Sequence, residues 1–345
     1  MVEENMSNGL HLVTHGGSFH CDEVFAYAVL RGALPPEALS ASTLTRTRNS
    51  QVIEAADIVW DVGGVFDPAR RRFDHHQKGA PKRPDGAPYS SAGLLWAAYG
   101  RDAVRAILAG RGGEDVVERV WVEMDEQVVR LVDLADNGQR PVPDFGNEDL
   151  DRAARIADGM ALSSLVETLN LPWDADLTDR ARAEDERFLR AAEIAGAFLD
   201  GRVEQIRARI AAYDAVLEAH ARSADPQVLE LDRGMPWQGA AHDAGVPVLF
   251  AVYPDKGGDA WMIGCMPPEP GSFAQKLPLP EAWAGLREAE LARVSGVPDA
   301  VFCHLNRFIG AARSREGALA MARIALDLAP ESTKQASLDR ATGPA

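Results

Sequence analysis

Asp74-His75-His76, set between Phe73 and Gln77, is a dense group of potential metal ligands. Two other segments carry the same kinds of side chain. One is Thr14-His15-Gly16-Gly17-Ser18-Phe19-His20-Cys21-Asp22-Glu23, and the other runs from Asp57 to Asp61-Val62-Gly63-Gly64. A fourth acidic pair, Asp133 and Asp136, stands ahead of Asn137-Gly138. Imidazole nitrogens and carboxylate oxygens without thiolate suit Mn²⁺, Zn²⁺ or another first-row divalent ion. A carboxylate has two oxygens and can bridge two ions. Two ions about 3.5–4 Å apart activate water and stabilise the departing oxygen of a phosphoester.

Taken singly, each segment has an ordinary reading. Asp-His-His can be an exposed turn, Asp61 a strand terminus, and Asp133 and Asp136 surface acids. His11 reads as a polar strand residue. Acids at a helix C-terminus are unfavourably placed against the dipole unless something positive compensates, which a metal ion would do. The four segments together are harder to explain away than any one of them. Cys21 is expected to point elsewhere, as neighbours of ligands usually do.

The elements that must position these groups form an α/β pattern. Leu10 to Thr14 reads as a buried strand, followed by the His-Gly-Gly-Ser turn and a helix over Asp22 to Leu30, the start of a βαβ unit. A second strand is expected over Ser40 to Thr45, a short helix over Gln51 to Ala55 and a strand over Asp57 to Val62. In an open parallel sheet functional groups collect at the C-terminal strand ends, where His15 and Asp61 fall. Lys78 to Pro88, rich in Gly, Pro and Lys, reads as a loop. Ser90-Ser91 is placed to cap a helix over Ala92 to Tyr99. Helical patterning resumes over 103–108 and 114–135, with Asn137-Gly138 as the stop. Arg140-Pro141-Val142-Pro143 breaks the pattern, and residues 150–222 read as mostly helical. Beyond Ala224 strands are expected over 227–231, 246–253, 261–266 and 300–305, with helices over 280–294 and 310–328. The expected division is therefore 10–145, a helical connector 146–223 and a smaller α+β domain 224–328, with disordered tails at 1–9 and 330–345.

The chain has 345 residues, for which two domains are the natural prior, and a formal net charge of −16. That charge argues against a broad basic surface gripping duplex DNA. It leaves room for a nucleotide or a short single strand in a local positive cleft, because bound divalent ions add charge that the formal count omits. No apolar run approaches the ~20 residues of a membrane span. Three widely spaced cysteines, Cys21, Cys265 and Cys303, form no disulfide framework or CxxC pattern. The acidic N-terminus has the features of neither a signal peptide nor a transit peptide. A reducing, cytoplasmic setting is expected.

The ordered motifs resemble the melanocyte-proliferating-gene (MYG) exonuclease family of the DHH phosphoesterase superfamily. They are the His15–Glu23 segment, Asp61-Val62-Gly63-Gly64, Asp74-His75-His76-Gln77, Ser90-Ser91-Ala92-Gly93 and Asp133 to Gly138. In the C-terminal half, Pro236-Trp237, Gly271-Ser272-Phe273, Leu279 to Arg287 and Phe308 to Leu319 agree, so the similarity runs from about residue 10 to about 328.

The resemblance implies a DHH-type catalytic domain with a parallel sheet and flanking helices, followed by a DHHA1-like substrate domain. It implies two bound ions, Mn²⁺ first, with Mg²⁺, Co²⁺ or Zn²⁺ as the other candidates. Its metal ligands would be His15, His20, Asp22, bridging Asp61, His75, and Asp133 or Asp136, with Asp136 preferred. His20 stands where many DHH enzymes have aspartate. Asp61, Asp74 and His76 would be the catalytic group, with Asp74 orienting an imidazole and His76 facing the phosphate. His304, Arg307, Gly310, Arg313 and Ser314 would contact substrate, although Ala311 departs from the family's Gly-Gly. Arg70 to Arg72, Lys78, Lys82 and Arg83 are candidates for a phosphate rim. The implied activity is 3′→5′ exonuclease action on short single-stranded RNA. The alternatives are a phosphodiesterase or phosphatase for a small nucleotide and a non-catalytic metal- or nucleotide-binding protein. Oligomeric state is left open, a homodimer among the options.

Overall fold

The computed structural model describes residues 9–139, 145–333 and 335. The Arg140–Pro143 break and most of both expected tails lie outside them. The chain divides into two compact units, Met1–Ile206 and Arg207–Ala345.

The first unit begins with β1 (His11–Thr14), α1 (Cys21–Ala33), α2 (Pro36–Ala41), β2 (Thr43–Arg46), α3 (Ser50–Ala55) and β3 (Ile58–Trp60). Next come two short strands, β4 (Phe66–Asp67) and β5 (Arg72–Phe73). The sheet order is β2-β1-β3-β5-β4. All pairings are parallel except β4 with β5. Three of these strands end in site segments: β1 in His15, β3 in Asp61 and β5 in Asp74. The βα pattern expected from the sequence is present, with short strands that β-branched and aromatic residues bury on both faces, as at Ile58-Val59-Trp60.

Helices α4 (Ser91–Leu108), α5 (Glu114–Met124) and α6 (Arg130–Asp136) follow. Helix α1, buried from Cys21 through Leu30, packs along α4. Trp60 stacks on Tyr27, ring centroids 6.0 Å apart, and donates its indole N–H to the Glu23 carbonyl at 3.0 Å. The two helical segments expected over 92–108 form one helix. The helix expected over 114–135 is interrupted by a π-turn at Asp125–Val129, a geometry often found at functional sites. Ser90 occupies the N-cap position but does not cap α4 through its hydroxyl. That hydroxyl donates to Asp133 instead. Helices α7 (Glu148–Asp158), α8 (Leu162–Glu167) and α9 (Arg180–Arg222) complete the run, and the boundary between the units falls inside α9.

The second unit contains β6 (Val228–Glu230), α10 (Trp237–Asp243), β7 (Phe250–Pro254), β8 (Trp261–Cys265), α11 (Glu288–Ser295), β9 (Ala300–Cys303), β10 (Ile309–Ala312) and α12 (Arg315–Asp327). The sheet runs β6-β7-β8-β10-β9 and is antiparallel apart from β6 with β7. Alternation along β7 divides two cores. Phe250 and Val252 meet α11 and α12 residues such as Leu291 and Met321, while Ala251 meets Val216 of α9 and Ala240 of α10.

Two expected helices are corrected here. Residues 310–314 are not the start of a helix: Gly310 and Ala311 lie in a central strand paired on both sides, and α12 starts at Arg315. A Cβ at Gly310 would lie 3.0 Å from the Phe302 carbonyl oxygen, so this glycine is needed for strand packing. Of the helix expected over 280–294, only a 3₁₀ turn at Glu281–Trp283 and α11 form.

Candidate metal centre

The glycine turn after β3 carries the central ligand. Asp61 adopts φ 56, a left-handed conformation that Asp tolerates better than most residues. It is only 4% exposed. Its two carboxylate oxygens face different partners. Oδ2 lies 3.3 Å from His15 Nε2, whereas Oδ1 lies 3.2 Å from His75 Nε2 and accepts from Ser91 Oγ at 3.2 Å. His75 Nε2 is also 3.3 Å from Asp136 Oδ2 and 3.9 Å from Asp22 Oδ2. Opposite, His15 Nε2 is 2.8 Å from Glu23 Oε1, and its Nδ1 meets the Gly16 carbonyl oxygen at 3.2 Å. A carbonyl at Nδ1 favours the tautomer whose Nε2 lone pair faces the cluster.

Four overlapping groups of side chains could each hold an ion: His15, His20 and Glu23; Asp61, His75 and His76; His20, Asp22 and Asp136; and Asp22, Glu23 and Asp61. Within a group, one ligand atom from each residue lies within 4.8 Å of the others. The bonding pattern fits a cation. Asp22 Oδ1 is buried without a hydrogen-bond partner, and His75 Nε2, although 3.2 and 3.3 Å from the Asp61 and Asp136 carboxylates, makes no well-aligned hydrogen bond to either. Leaving a buried polar atom unsatisfied costs about 1–3 kcal/mol, more if it is charged, and a cation would give both atoms a partner. The mixed imidazole and carboxylate set suits a first-row divalent ion. Cys21 also lines the pocket; burial pushes its thiol up to about 12 in the metal-free protein, and it belongs to none of the four groups.

The charges in the cluster strain against one another. Burial, then Asp61, Glu23 and Asp136, hold the Asp22 carboxyl well above its ordinary 3.8. Burial also raises Asp136. Burial alone would lower His15, yet its bonds to Asp61 and Glu23 carry it up to about 10. Asp61 resists its own burial through His15 and His75, which hold it below the usual carboxylate range. The folded state therefore binds protons at Asp22 and His15 more tightly than the unfolded chain does. Stability from these groups is fully present below their unfolded values and is lost as pH rises toward their folded ones. Metal-free protein is expected to melt lower at pH 8 than at pH 5. Asp22→Asn should flatten that slope, raise the metal-free Tm at pH 7.5 and abolish most of the Tm gain on adding Mn²⁺. Scanning calorimetry with EDTA and with Mn²⁺ checks each point, and an unchanged slope in Asp22→Asn would remove Asp22 from this role.

Asp74 and His76 lie at the edge of the cluster. Asp74 accepts from Gly64 N at 2.6 Å, from His76 N at 3.0 Å and from His76 Nδ1 at 2.7 Å. Gly64 makes this contact at φ 67, where a side chain would be strained. His75 is turned inward, while the His76 side chain is 62% exposed and lines the same pocket. Asp74→Ala frees the ring and the loop, so Mn²⁺ affinity by calorimetric titration should fall about 10- to 100-fold. Wild-type affinity in this variant would contradict an orienting role.

Asp133 does not join the cluster. It is fully buried. Oδ1 accepts from Ser90 N, Ser90 Oγ and Gly93 N at 3.0, 2.7 and 3.0 Å, and Oδ2 pairs with Arg83 at 2.7 Å. One helical turn sets Asp136 on the pocket side, so the choice between the two acids falls to Asp136. A Cβ at Gly93 would come within 2.3 Å of Asp133 Oδ2, which explains the glycine. Part of the expected phosphate rim is also corrected. Arg72 is buried and donates to the carbonyls of Glu54, Ala56, Asp57 and Arg70, and Arg83 clasps Asp125 and Asp133. Neither guanidinium faces the pocket.

Glu23 is the ligand candidate that the sequence reading passed over. It accepts the His20 backbone N–H at 2.9 Å in addition to its contact with His15. Its spacing, three residues past the His20 N-cap, is that of a capping-box acid.

In the second unit, Ser314 caps α12, accepting from Gly317 N and donating to Asp299. Arg313 pairs with Glu288, and one Arg307 guanidinium N–H reaches the Leu279 carbonyl. His304 is exposed and its ring packs against Phe308, centroids 4.5 Å apart and planes tilted by 54°. Gly310 is held in the sheet. These five residues are arranged chiefly for their own unit's structure, with His304 and Arg313 exposed.

The fold and the cluster define a class: a mixed α/β protein whose parallel strands deliver carboxylates and imidazoles to one pocket able to hold divalent metal. The chain belongs to the MYG1_exonuc family, described as an uncharacterised protein family (UPF0160), which matches residues 11–326. It is 35% identical over 333 residues to the MYG1 exonuclease of Homo sapiens, covering 91% of this chain and 85% of that protein. A MYG1 protein of Saccharomyces cerevisiae is 30% identical over 339 residues, covering 94% and 98%. Among solved structures, a pGpG-specific phosphodiesterase from a Vibrio aligns with 93% of this chain and 100% of its own, at 16% identity and a TM-score of 0.29. That similarity is too low to bear on fold or reaction.

Proposed function

We propose that the protein is a metal-dependent phosphoesterase that acts as a 3′→5′ exonuclease on short single-stranded RNA. The observation that carries the reading is Asp61, whose two oxygens face two histidines on opposite sides of the cluster. That is the arrangement needed to bridge a pair of ions. Similarity to a human protein named an exonuclease supports the direction of the reading. His15, His20, Glu23, Asp22, His75 and Asp136 would share the ligand positions. Divalent ions there, Mn²⁺ by preference, would supply Lewis-acid activation of water and neutralise charge on the departing oxygen. His76, held by Asp74 and open to the pocket, would hydrogen-bond the phosphate and hold a proton near the leaving oxygen. The pocket volume is about 990 Å³, ample for a terminal nucleotide.

The acidic balance of the chain favours a second reading, a phosphodiesterase for a small nucleotide, because a long polyanion would be repelled. Neither reading involves duplex DNA or a membrane. No helix among the described residues is long and apolar enough to cross one. The three cysteines are free and buried, which accords with a reducing cytoplasm.

Purified protein with Mn²⁺ is to be offered end-labelled RNA and DNA oligomers, nucleotide monophosphates and cyclic dinucleotides. Stepwise release of mononucleotides from the 3′ end of RNA is expected. Cleavage of only the dinucleotides selects the second reading. No hydrolysis with Mn²⁺, Mg²⁺, Co²⁺ or Zn²⁺ refutes both.

A further inference from the structure

The metal pocket does not end at His20. Beyond His20 and Glu167, which line both, lies a second depression of about 520 Å³. All of its lining residues belong to the first unit. Its wall is cross-linked by hydrogen bonds where it meets the metal cluster. Asn170 accepts from Phe19 N at 2.9 Å and donates to the Phe19 carbonyl at 2.7 Å, so a loop 151 residues away is pinned beside the His20 ligand.

One residue lining this depression and two flanking it suit an anion with an aromatic part. Arg187 of α9 lines it and makes no hydrogen bond or ion pair with any described residue. Its neighbours Arg180, Arg182 and Arg46 each pair with a carboxylate. An unpaired, half-buried guanidinium is notable in a chain with 52 acids and 36 basic residues. Arg48, likewise unpaired and exposed, lines the adjoining metal pocket. At the rim, Pro172 lines the depression and is followed by Trp173, whose indole is 91% exposed. An exposed indole one residue past the lining and an unpaired guanidinium within it, next to a site suited to phosphoester chemistry, match the two halves of a nucleotide: base on ring, phosphate on arginine.

From this juxtaposition we infer that the second depression is a subsite for the nucleotide adjoining the scissile phosphodiester. The protein then recognises a single strand of at least two nucleotides, rather than an isolated nucleotide. Arg187 holds that unit's phosphate, and Trp173 stacks its base. This inference rests on the phosphoesterase reading for the neighbouring site, but it predicts a binding property that does not require turnover.

The probes are a fluorescein-labelled, phosphorothioate-linked trinucleotide and the corresponding labelled mononucleotide, with saturating Mn²⁺, followed by fluorescence anisotropy. Wild-type protein should bind the trinucleotide at least about tenfold more tightly, as expected for one stacked base. Arg187→Ala and Trp173→Ala should each erase most of that step. Arg119→Ala removes an exposed arginine from α5, which lines neither depression, and should keep it. Thermal melts of all variants establish folding, and Trp173 is exposed enough to be removed without loss of packing. No step in the wild type, or a step that persists in both variants, overturns the subsite. A separate cleavage assay keeps the two ideas apart. A protein that shows the step but cleaves no phosphodiester loses the phosphoesterase reading and keeps the subsite. One that cleaves but shows no step loses the subsite alone.

Discussion

Asp61→Asn is expected to abolish turnover, by about 10³-fold or more, since losing the proposed bridge removes several kcal/mol of charge stabilisation. The fold should survive. Asparagine has the same shape and tolerates the left-handed backbone at φ 56, and its amide oxygen can still accept from Ser91 Oγ. The side chain loses its charge and the freedom to bind through both oxygens, because one becomes an NH₂ donor. His15 and His75 lose the anion that raises them and should titrate nearer the ordinary histidine range. Metal content by mass spectrometry should fall from two ions per chain to one or none, with a melting temperature within a few degrees of wild type. Activity within tenfold of wild type, with two ions retained, would remove Asp61 from the centre of the site.

Much of this arrangement is legible in the sequence, because the chemistry is local to strand ends. His15 and Asp61 each follow a short apolar strand and stand beside glycines, so strand–turn logic places them on one sheet edge. Asp74 follows Arg72-Phe73, a two-residue strand that its basic lead-in does not announce. The sequence does not show how each group is satisfied. Arg83 sits in a Gly-, Pro- and Lys-rich segment that reads as a solvent loop, yet its partners are 42 and 50 residues away. Ser90 reads as a helix cap, but a buried acid from another helix takes its hydroxyl. Glu23 reads as a first-turn helix acid and is also a ligand candidate. In the second unit, Ile309–Ala312 is too short and too small-residued for periodicity to separate strand from helix. Its identity as a strand is set by β8 and β9 on either side.

Asp133 and Asp136 have the same chemistry and sit one helical turn apart, so their different duties can be tested by mutation. Arg83→Ala should cost stability rather than metal. It leaves Asp133, fully buried, facing an empty site, and Asp125 loses both of its guanidinium contacts. Breaking a buried ion pair from one side typically costs about 3–5 kcal/mol, a large share of the roughly 5–15 kcal/mol that holds a domain together. The α4 N-terminus also depends on Asp133 to accept from Ser90 N and Gly93 N, so the loss should spread to the helix that packs on α1. Asp136→Asn should do the reverse. Burial and Asp61 raise the Asp136 carboxyl in the metal-free cluster, against a partial offset from His75 and Asp22. Removing its charge should therefore leave metal-free stability unchanged or slightly higher, while Mn²⁺ affinity and turnover fall. Urea denaturation with EDTA and Mn²⁺ titration calorimetry on both variants separate these outcomes. If Asp136→Asn binds Mn²⁺ like wild type while Arg83→Ala remains fully stable, the roles assigned to the two acids are reversed.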